Sequence, residues 1–240
     1  MINIVISDLH LEEARPEIAD LFFRYLKEIT HPENTLYILG DFFEAWIGDD
    51  DLTPFNVQVI KALRFATQQG LTTYFMHGNR DFLIGKRFTK ATGCVLLPEE
   101  YIANLSGIPT LLMHGDTLCI DDIKYMQARK KLRSWFLQKL FLMKSIKKRR
   151  AVAQRYRESS KGHLSTVPDY ITDVNQQEVE RIMSKHHVQH LVHGHTHRKA
   201  VHEFTLNNAP ATRTVLGAWH EEGSALVCEA NGHQQLIEIR

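Results

Sequence analysis

Seven residues able to hold a divalent cation recur in short polar clusters along this 240-residue chain: Asp8 and His10 in "SDLH", Asp41 in "GDFFE", Asn79 in "GNRD", His114 in "HGD", and His195 and His197 in "HGHTH". Singly, each cluster reads as a turn, because Gly, Asn and Asp tolerate the backbone angles that turns need. Isolated histidines such as His31 and His233 read as surface residues. The conjunction does not follow from turn preferences. Carboxylates, imidazoles and an amide oxygen, without thiolate, suit Mn²⁺, Fe²⁺, Zn²⁺ or similar ions rather than a cysteine-held structural zinc. So many donors exceed what one ion can take while keeping an open position, and they match two ions roughly 3.5–4 Å apart that share a carboxylate. Such a pair makes water nucleophilic at neutral pH and clamps a phosphoryl group for in-line displacement. The chemistry expected is hydrolysis at phosphorus.

Each cluster follows an apolar run, and those runs alternate with helical patterns. "INIVISDLH", "TLYILGD", "TTYFMHGN", "TLLMHGD" and "HLVHGHTH" read as strands. "PEIADLFFRYLKEIT" carries Ile18, Leu21, Phe22, Tyr25, Leu26 and Ile29 at helical spacing, and "VQVIKALRFATQQG" reads as a helix ending at Gly70. Alternation of this kind predicts an α/β sandwich with parallel or mixed sheets, and ligands in such sheets gather at the carboxyl ends of the strands. The tail from about Arg213 to Ile239 reads as β-hairpin material, and the stretch from Ile123 to about Arg157 as a helical insertion.

Composition bounds the rest. The hydrophobic content of 43% is ordinary for a packed core, and the length suits a single domain over residues 1–240. The opening "MINIVISDLH" enters a strand with no basic leader, and Cys94, Cys119 and Cys228 form no CxxC pair, so a cytosolic, reducing location is expected. No apolar run approaches the roughly 20 residues that cross a bilayer. The net charge of +1 conceals an asymmetry. Thirteen of the 29 Lys and Arg fall between Lys124 and Arg157, where no Asp or Glu occurs, so 16 basic residues elsewhere face all 28 acidic ones. A basic insert on an acidic body predicts an anionic partner or surface, with solvated helix faces as the plainer reading.

The blocks Asp8-Leu9-His10, Gly40-Asp41, Gly78-Asn79, His114 and Gly194-His195-Thr196-His197 resemble, in order, the motifs of the calcineurin-like metallophosphoesterases. The resemblance implies an αββα sandwich, here with a helical basic cap at 123–165. It implies one ion held by Asp8, His10, Asp41 and His197 and a second by Asp41, Asn79, His114 and His195, with Asp41 as the bridge and His193 structural. Asp41, Asn79 and Arg80 are the residues it implies for the chemical step. Many members place a histidine after the Asn, where this chain has Arg80 and Asp81. Arginine cannot act as an acid at neutral pH but can hold phosphate oxygens bidentately, which suits a leaving group that is already stable. A surface ion pair between Arg80 and Asp81 is the alternative.

Further blocks, "YILGDFFEAWIGDDD", "HGNRDFLIGKRF", "LLPEE", "HGDTLCIDD", "DVNQ", "HGHTHR" and "VLGAWH", are similar to one branch of that family. Its members use two Mn²⁺ ions to split the pyrophosphate of UDP-2,3-diacylglucosamine at the α-phosphate, giving UMP and 2,3-diacylglucosamine 1-phosphate in lipid A biosynthesis. By this resemblance Asn79, Arg80, Asp122, Ser160 and His195 contact substrate; Asp122 has a second reading as a helix cap. Leu164 and Val167 depart from the branch's polar contacts, and Lys161, His163 or Thr166 could replace them. The insert, with Trp135, Phe136, Leu137, Leu140, Phe141, Leu142 and Met143 among its cations, suits an anionic membrane surface or a cover over acyl chains. A peripheral place on the cytoplasmic face of the inner membrane is therefore expected, and no nucleic acid. Two other readings stay open: a dinuclear phosphoesterase for a soluble nucleotide or phosphodiester, and a non-catalytic scaffold.

Overall fold

The computed structural model describes residues 1–164 and 168–240, without the side chains of 159–164, 169 and 170. Its strands are β1 (Ile2–Ile6), β2 (Thr35–Ile38), β3 (Thr72–Phe75), β4 (Val95–Leu96), β5 (Tyr101–Leu105), β6 (Ile108–Leu112), β7 (His190–His193), β8 (Ala200–Leu206), β9 (Ala209–Val215), β10 (Gly223–Glu229) and β11 (Gln234–Ile239). They form a six-stranded sheet in the order β11-β10-β1-β2-β3-β4 and a five-stranded sheet in the order β5-β6-β7-β9-β8. β1, β2, β3 and β4 run parallel, as do β6, β7 and β9.

The period of two along β1 explains the layering. Ile4 and Ile6 join a cluster with the apolar faces of α1 (Pro16–Ile29), α2 (Pro54–Gln68) and α3 (Lys86–Thr92), whereas Val5 joins Leu105, Leu111, Leu191 and Ala211 of the second sheet. One face therefore meets helices and the other meets the partner sheet. All six apolar positions read from the α1 sequence are buried, and Thr53 caps α2 by accepting from the Asn56 amide at 3.1 Å. Val179, Ile182 and Met183 of α8 (Gln176–Lys185) join the inter-sheet cluster.

The tail differs from the sequence reading. It is two hairpins in two sheets: β8–β9 starts upstream at Ala200, and β10–β11 pairs with β1. The first is closed by Asn207 and Asn208, both at positive φ (51° and 63°), the geometry that a tight hairpin turn requires. β5–β6, also unread, turns in the same way at Ser106 and Gly107 (φ 55° and 91°).

Residues 123–164 carry α4 (Ile123–Leu132), α5 (Trp135–Leu142) and α6 (Ile146–Leu164), and α7 (Asp169–Thr172) leads to α8. Ion pairs Arg149–Asp50 and Arg150–Asp51 fasten α6 to the loop after β2; Arg149 is buried and also donates to the Ile47 carbonyl at 2.7 Å. Arg133, at the end of α4, donates to the Gly78 carbonyl at 3.0 Å. No helix among the described residues is long and apolar enough to cross a membrane.

Phe22 is fully buried on α1 and meets Phe23, Phe42 and Trp219 through tilted and edge-on ring contacts. Phe22→Ala is expected to cost about 3–5 kcal/mol in equilibrium denaturation; a loss below about 1 kcal/mol would contradict this packing.

Candidate metal centre

The strands β1, β2, β3, β6 and β7 all point their carboxyl ends at one seam between the sheets, and every sequence-singled donor lies just beyond one of those ends. The turns that follow are left-handed. Asp8, His10, Asp41, His195 and His197 have φ of 56°, 50°, 48°, 67° and 60°, values that side-chain-bearing residues rarely adopt. This conformation turns the chain back immediately after the strand. Close approach completes it: a Cβ on Gly78 would stand 2.2 Å from Asp41 Oδ1, and one on Gly194 2.1 Å from Asp8 Oδ2, so both positions require glycine.

Two donor groups result. Asp8, His10 and His197 present ligand atoms within 4.8 Å of one another, and so do Asp41, His114 and His195. Asp41 faces both: its Oδ2 is 3.9 Å from His10 Nε2 and its Oδ1 3.7 Å from His114 Nε2. Asn79 joins the second group, with Oδ1 3.0 Å from His114 Nε2 and 2.9 Å from His195 Nδ1. The seven residues read from the sequence are thus brought together.

The hydrogen bonds fix which way the lone pairs point. His10 Nδ1 donates to Glu44 Oε2 at 2.9 Å, which leaves Nε2, 3.3 Å from His197 Nε2, as the atom that takes a proton or a metal. His114 Nδ1 donates to the Leu39 carbonyl at 2.8 Å, which leaves Nε2, 3.0 Å from Asn79 Oδ1, as the atom that takes a proton or a metal. Electron-pair donors facing one another are unfavourable unless a cation lies among them. Asp8 Oδ1 is buried without a hydrogen-bond partner among the described residues, while Asp8 Oδ2 accepts from Ser7 Oγ at 2.6 Å and the His195 amide at 2.9 Å. The residues present therefore fit divalent cations.

The electrostatics agree. Burial pushes the Asp8 carboxyl up, but the His197 hydrogen bond and the charges of His197, His114 and His10 hold it well below the usual carboxylate range. Burial opposes a charged His114, yet Asp41, Asp8 and Asp116 raise it above the ordinary imidazole value. Burial, then repulsion from His114, lowers His195 to about 4. The field at the seam calls for positive charge. His193, by contrast, faces away from both groups. Its Nδ1 donates to the Gly194 carbonyl at 2.8 Å, its Nε2 accepts from Arg213, and burial, then the Arg213 charge, lowers it to about 3.

Several supporting residues escaped the sequence reading. Glu44 orients His10; burial raises its carboxyl, but the His10 hydrogen bond and the Arg80 charge bring it down to about 2. Asp81 is fully buried and accepts from the Gly78 amide and the Phe42 amide, each at 2.8 Å, stapling the turns after β2 and β3. The expected alternative of an Arg80–Asp81 surface pair is therefore wrong: Asp81 is spent on backbone. Arg80 instead lies 3.9 Å from Glu44 through Nη1, with Nε and Nη1 buried and without a hydrogen-bond partner among the described residues. Glu44 and Asp81 sit inside the clusters "GDFFE" and "GNRD", which was the available signal. Asp116 accepts from Tyr125 Oη at 2.7 Å and Arg129 Nε at 2.6 Å, tying α4 to the turn after His114. Asp122 caps α4, accepting from the Tyr125 amide at 2.9 Å. The side chains of Ser160, Lys161, His163 and Leu164, and residues Thr166 and Val167, lie outside the described residues.

Beside the donors lies an apolar cavity of about 430 Å³ between the body and the helices α4 to α6. Asn79, Arg80, Glu44 and Arg157 stand on its wall with Trp46, Phe82, Leu132, Leu140, Phe141 and Val152. Arg157 Nη1 is 3.6 Å from Glu44, and its Nε has no hydrogen-bond partner among the described residues.

A family model for calcineurin-like phosphoesterases matches residues 4–199. The chain belongs to the calcineurin-like phosphoesterase family. It is 49% identical to a UDP-2,3-diacylglucosamine hydrolase of Escherichia coli O7:K1, with 96% of each chain covered. Proteins of the same description from Serratia proteamaculans and Azotobacter vinelandii are 47% and 46% identical, over 96% and 97% of each chain. A solved archaeal phosphodiesterase overlays with a TM-score of 0.50 at 11% identity over 99% of both chains, a likeness of fold alone. Members of this family use divalent metals, and the two donor groups match that use.

Glu44→Gln removes the charge behind His10 and is expected to weaken metal binding about 10–100-fold in a chelator-competition titration; an unchanged affinity would show that Glu44 does not orient the ligand.

Proposed function

We propose that this protein is a Mn²⁺-dependent hydrolase of UDP-2,3-diacylglucosamine, forming UMP and 2,3-diacylglucosamine 1-phosphate. One observation carries the reading: the paired donor groups open onto an apolar cavity whose wall holds Asn79 and Arg80. A phosphoesterase of soluble nucleotides has no use for such a cavity, whereas a diacylated substrate does. The named activity of relatives at 46–49% identity points the same way.

Asp8, His10, Asp41 and His197 would hold one ion, and Asp41, Asn79, His114 and His195 the other. Bound there, the ions would supply a nucleophile at neutral pH and neutralise phosphoryl charge. The remaining work falls to this chain's own groups. Arg80, with unspent donors beside Asn79, holds phosphate oxygens. The leaving group is a phosphate monoester, which departs without an acid, so an arginine rather than a histidine after Asn79 is chemically consistent. Asp122, Ser160 and His195 complete the proposed substrate contacts. Residues 123–165 form the proposed cap over the acyl chains. Its outer surface exposes Trp135 (72%) and Met143 (75%) beside Lys139, Lys144 and other cations, the chemistry that docks on an anionic membrane face.

Incubated with the lipid in detergent micelles, Mn²⁺ and H₂¹⁸O, the enzyme is expected to release UMP carrying the label. Absence of UMP while a soluble nucleotide is cleaved would overturn the substrate assignment. Trp135→Asp with Met143→Asp is expected to reduce co-sedimentation with anionic vesicles; unchanged sedimentation would refute the docking surface.

A further inference from the structure

A second cavity, of about 270 Å³, has the opposite character from the first. Asp173, Thr196, Arg198, Lys199, His202 and Arg213 line it. It begins at the metal loop itself, because Thr196 lies between His195 and His197, one from each donor group. Its cations are not equally occupied. Arg198 pairs with Asp173 and Lys199 with Glu238, each at 2.5 Å. Arg213 is 7% exposed; its Nη1 donates to His193 Nε2 at 3.2 Å, but its Nε meets no acceptor among the described residues. The Thr196 hydroxyl is likewise buried without a hydrogen-bond partner among the described residues. Buried donors left unspent cost stability, and their retention marks a place where a ligand completes them.

The substrate proposed above has two arms joined at the pyrophosphate. The lipid arm suits the apolar cavity, so the nucleotide arm must leave the seam by another route, and the polar cavity adjoins the same turn. Uracil offers a pair of carbonyl oxygens flanking an N–H, which complements arginine and hydroxyl donors with a carboxylate at the rim. We infer that this cavity is the subsite for the uracil base, with Arg213 and Thr196 donating to its carbonyl oxygens. The inference rests on the reading of the reaction given under Proposed function.

The test is equilibrium dialysis of radiolabelled UMP and of ribose 5-phosphate against the full chain with Mn²⁺. Ribose 5-phosphate shares the phosphate and sugar but lacks the base. Thr196→Val, which leaves the Arg213–His193 contact in place, and Arg213→Met are each expected to weaken UMP binding roughly tenfold, the value of one hydrogen bond to ligand, with ribose 5-phosphate unchanged. If Arg213→Met does not fold, Thr196→Val decides alone. Unchanged UMP affinity, or equal weakening of both ligands, would overturn the subsite. Lipid turnover by the wild-type enzyme reports separately on the reaction: a wild type that ignores the lipid but binds UMP through Thr196 and Arg213 would refute the reaction and keep the base site.

Discussion

The structure turns on the Asp41 carboxylate, whose two oxygens face two different sets of donors. Oδ2 looks toward His10 and Oδ1 toward His114, while the Arg80 amide donates to Oδ1 at 2.7 Å. A carboxylate this buried is tolerated only where opposite charge or hydrogen bonds compensate it. That demand reaches outward through the molecule. Asp81 holds the turns that carry Asp41 and Asn79 together, and its own carboxyl is pushed up to about 7 by burial, then by Asp41. Glu44 sets His10, and the Leu39 carbonyl sets His114. Two mixed sheets whose parallel strands end at one seam are the scaffold that brings these groups within reach.

The surroundings of the seam divide by polarity. On one side Arg80 and Arg157 flank Glu44 at the mouth of an apolar cavity roofed by α4 to α6. Separately, Thr196 opens into a cavity lined by arginine, lysine and histidine. An amphiphile cleaved at its polar junction would be sorted by this arrangement before any chemistry occurs. The roof is attached by ion pairs that each join one exposed partner to a more buried one, Arg149–Asp50 foremost, and by the hydrogen bond of Arg133 to Gly78, so its position is coupled to the turn that carries Asn79.

The donors were legible in the sequence because each follows an apolar run at a strand end, and the topology then makes them converge. Their orientation was not legible. It depends on left-handed turns at Asp8, His10, Asp41, His195 and His197, which residue type alone does not announce. The roles of Glu44 and Asp81 depend on partners 34 and 39 residues away, so the clusters that contain them gave no direction. Arg213 could be placed only by the β7–β9 register, which pairs it with Leu191, two residues before His193 on the same strand, so that its Nη1 reaches the His193 ring. The hairpin at Asn207-Asn208 carried a local signal, since paired asparagines suit positive φ, and it went unread.

The most direct test of the shared-carboxylate account is the metal content of the purified chain, measured by elemental analysis after dialysis with Mn²⁺, for the wild type and Asp41→Ala side by side. The account predicts about two ions per wild-type chain and loss of both from the variant, because neither donor group is complete without Asp41. An Asp41→Ala chain that keeps two ions would contradict it.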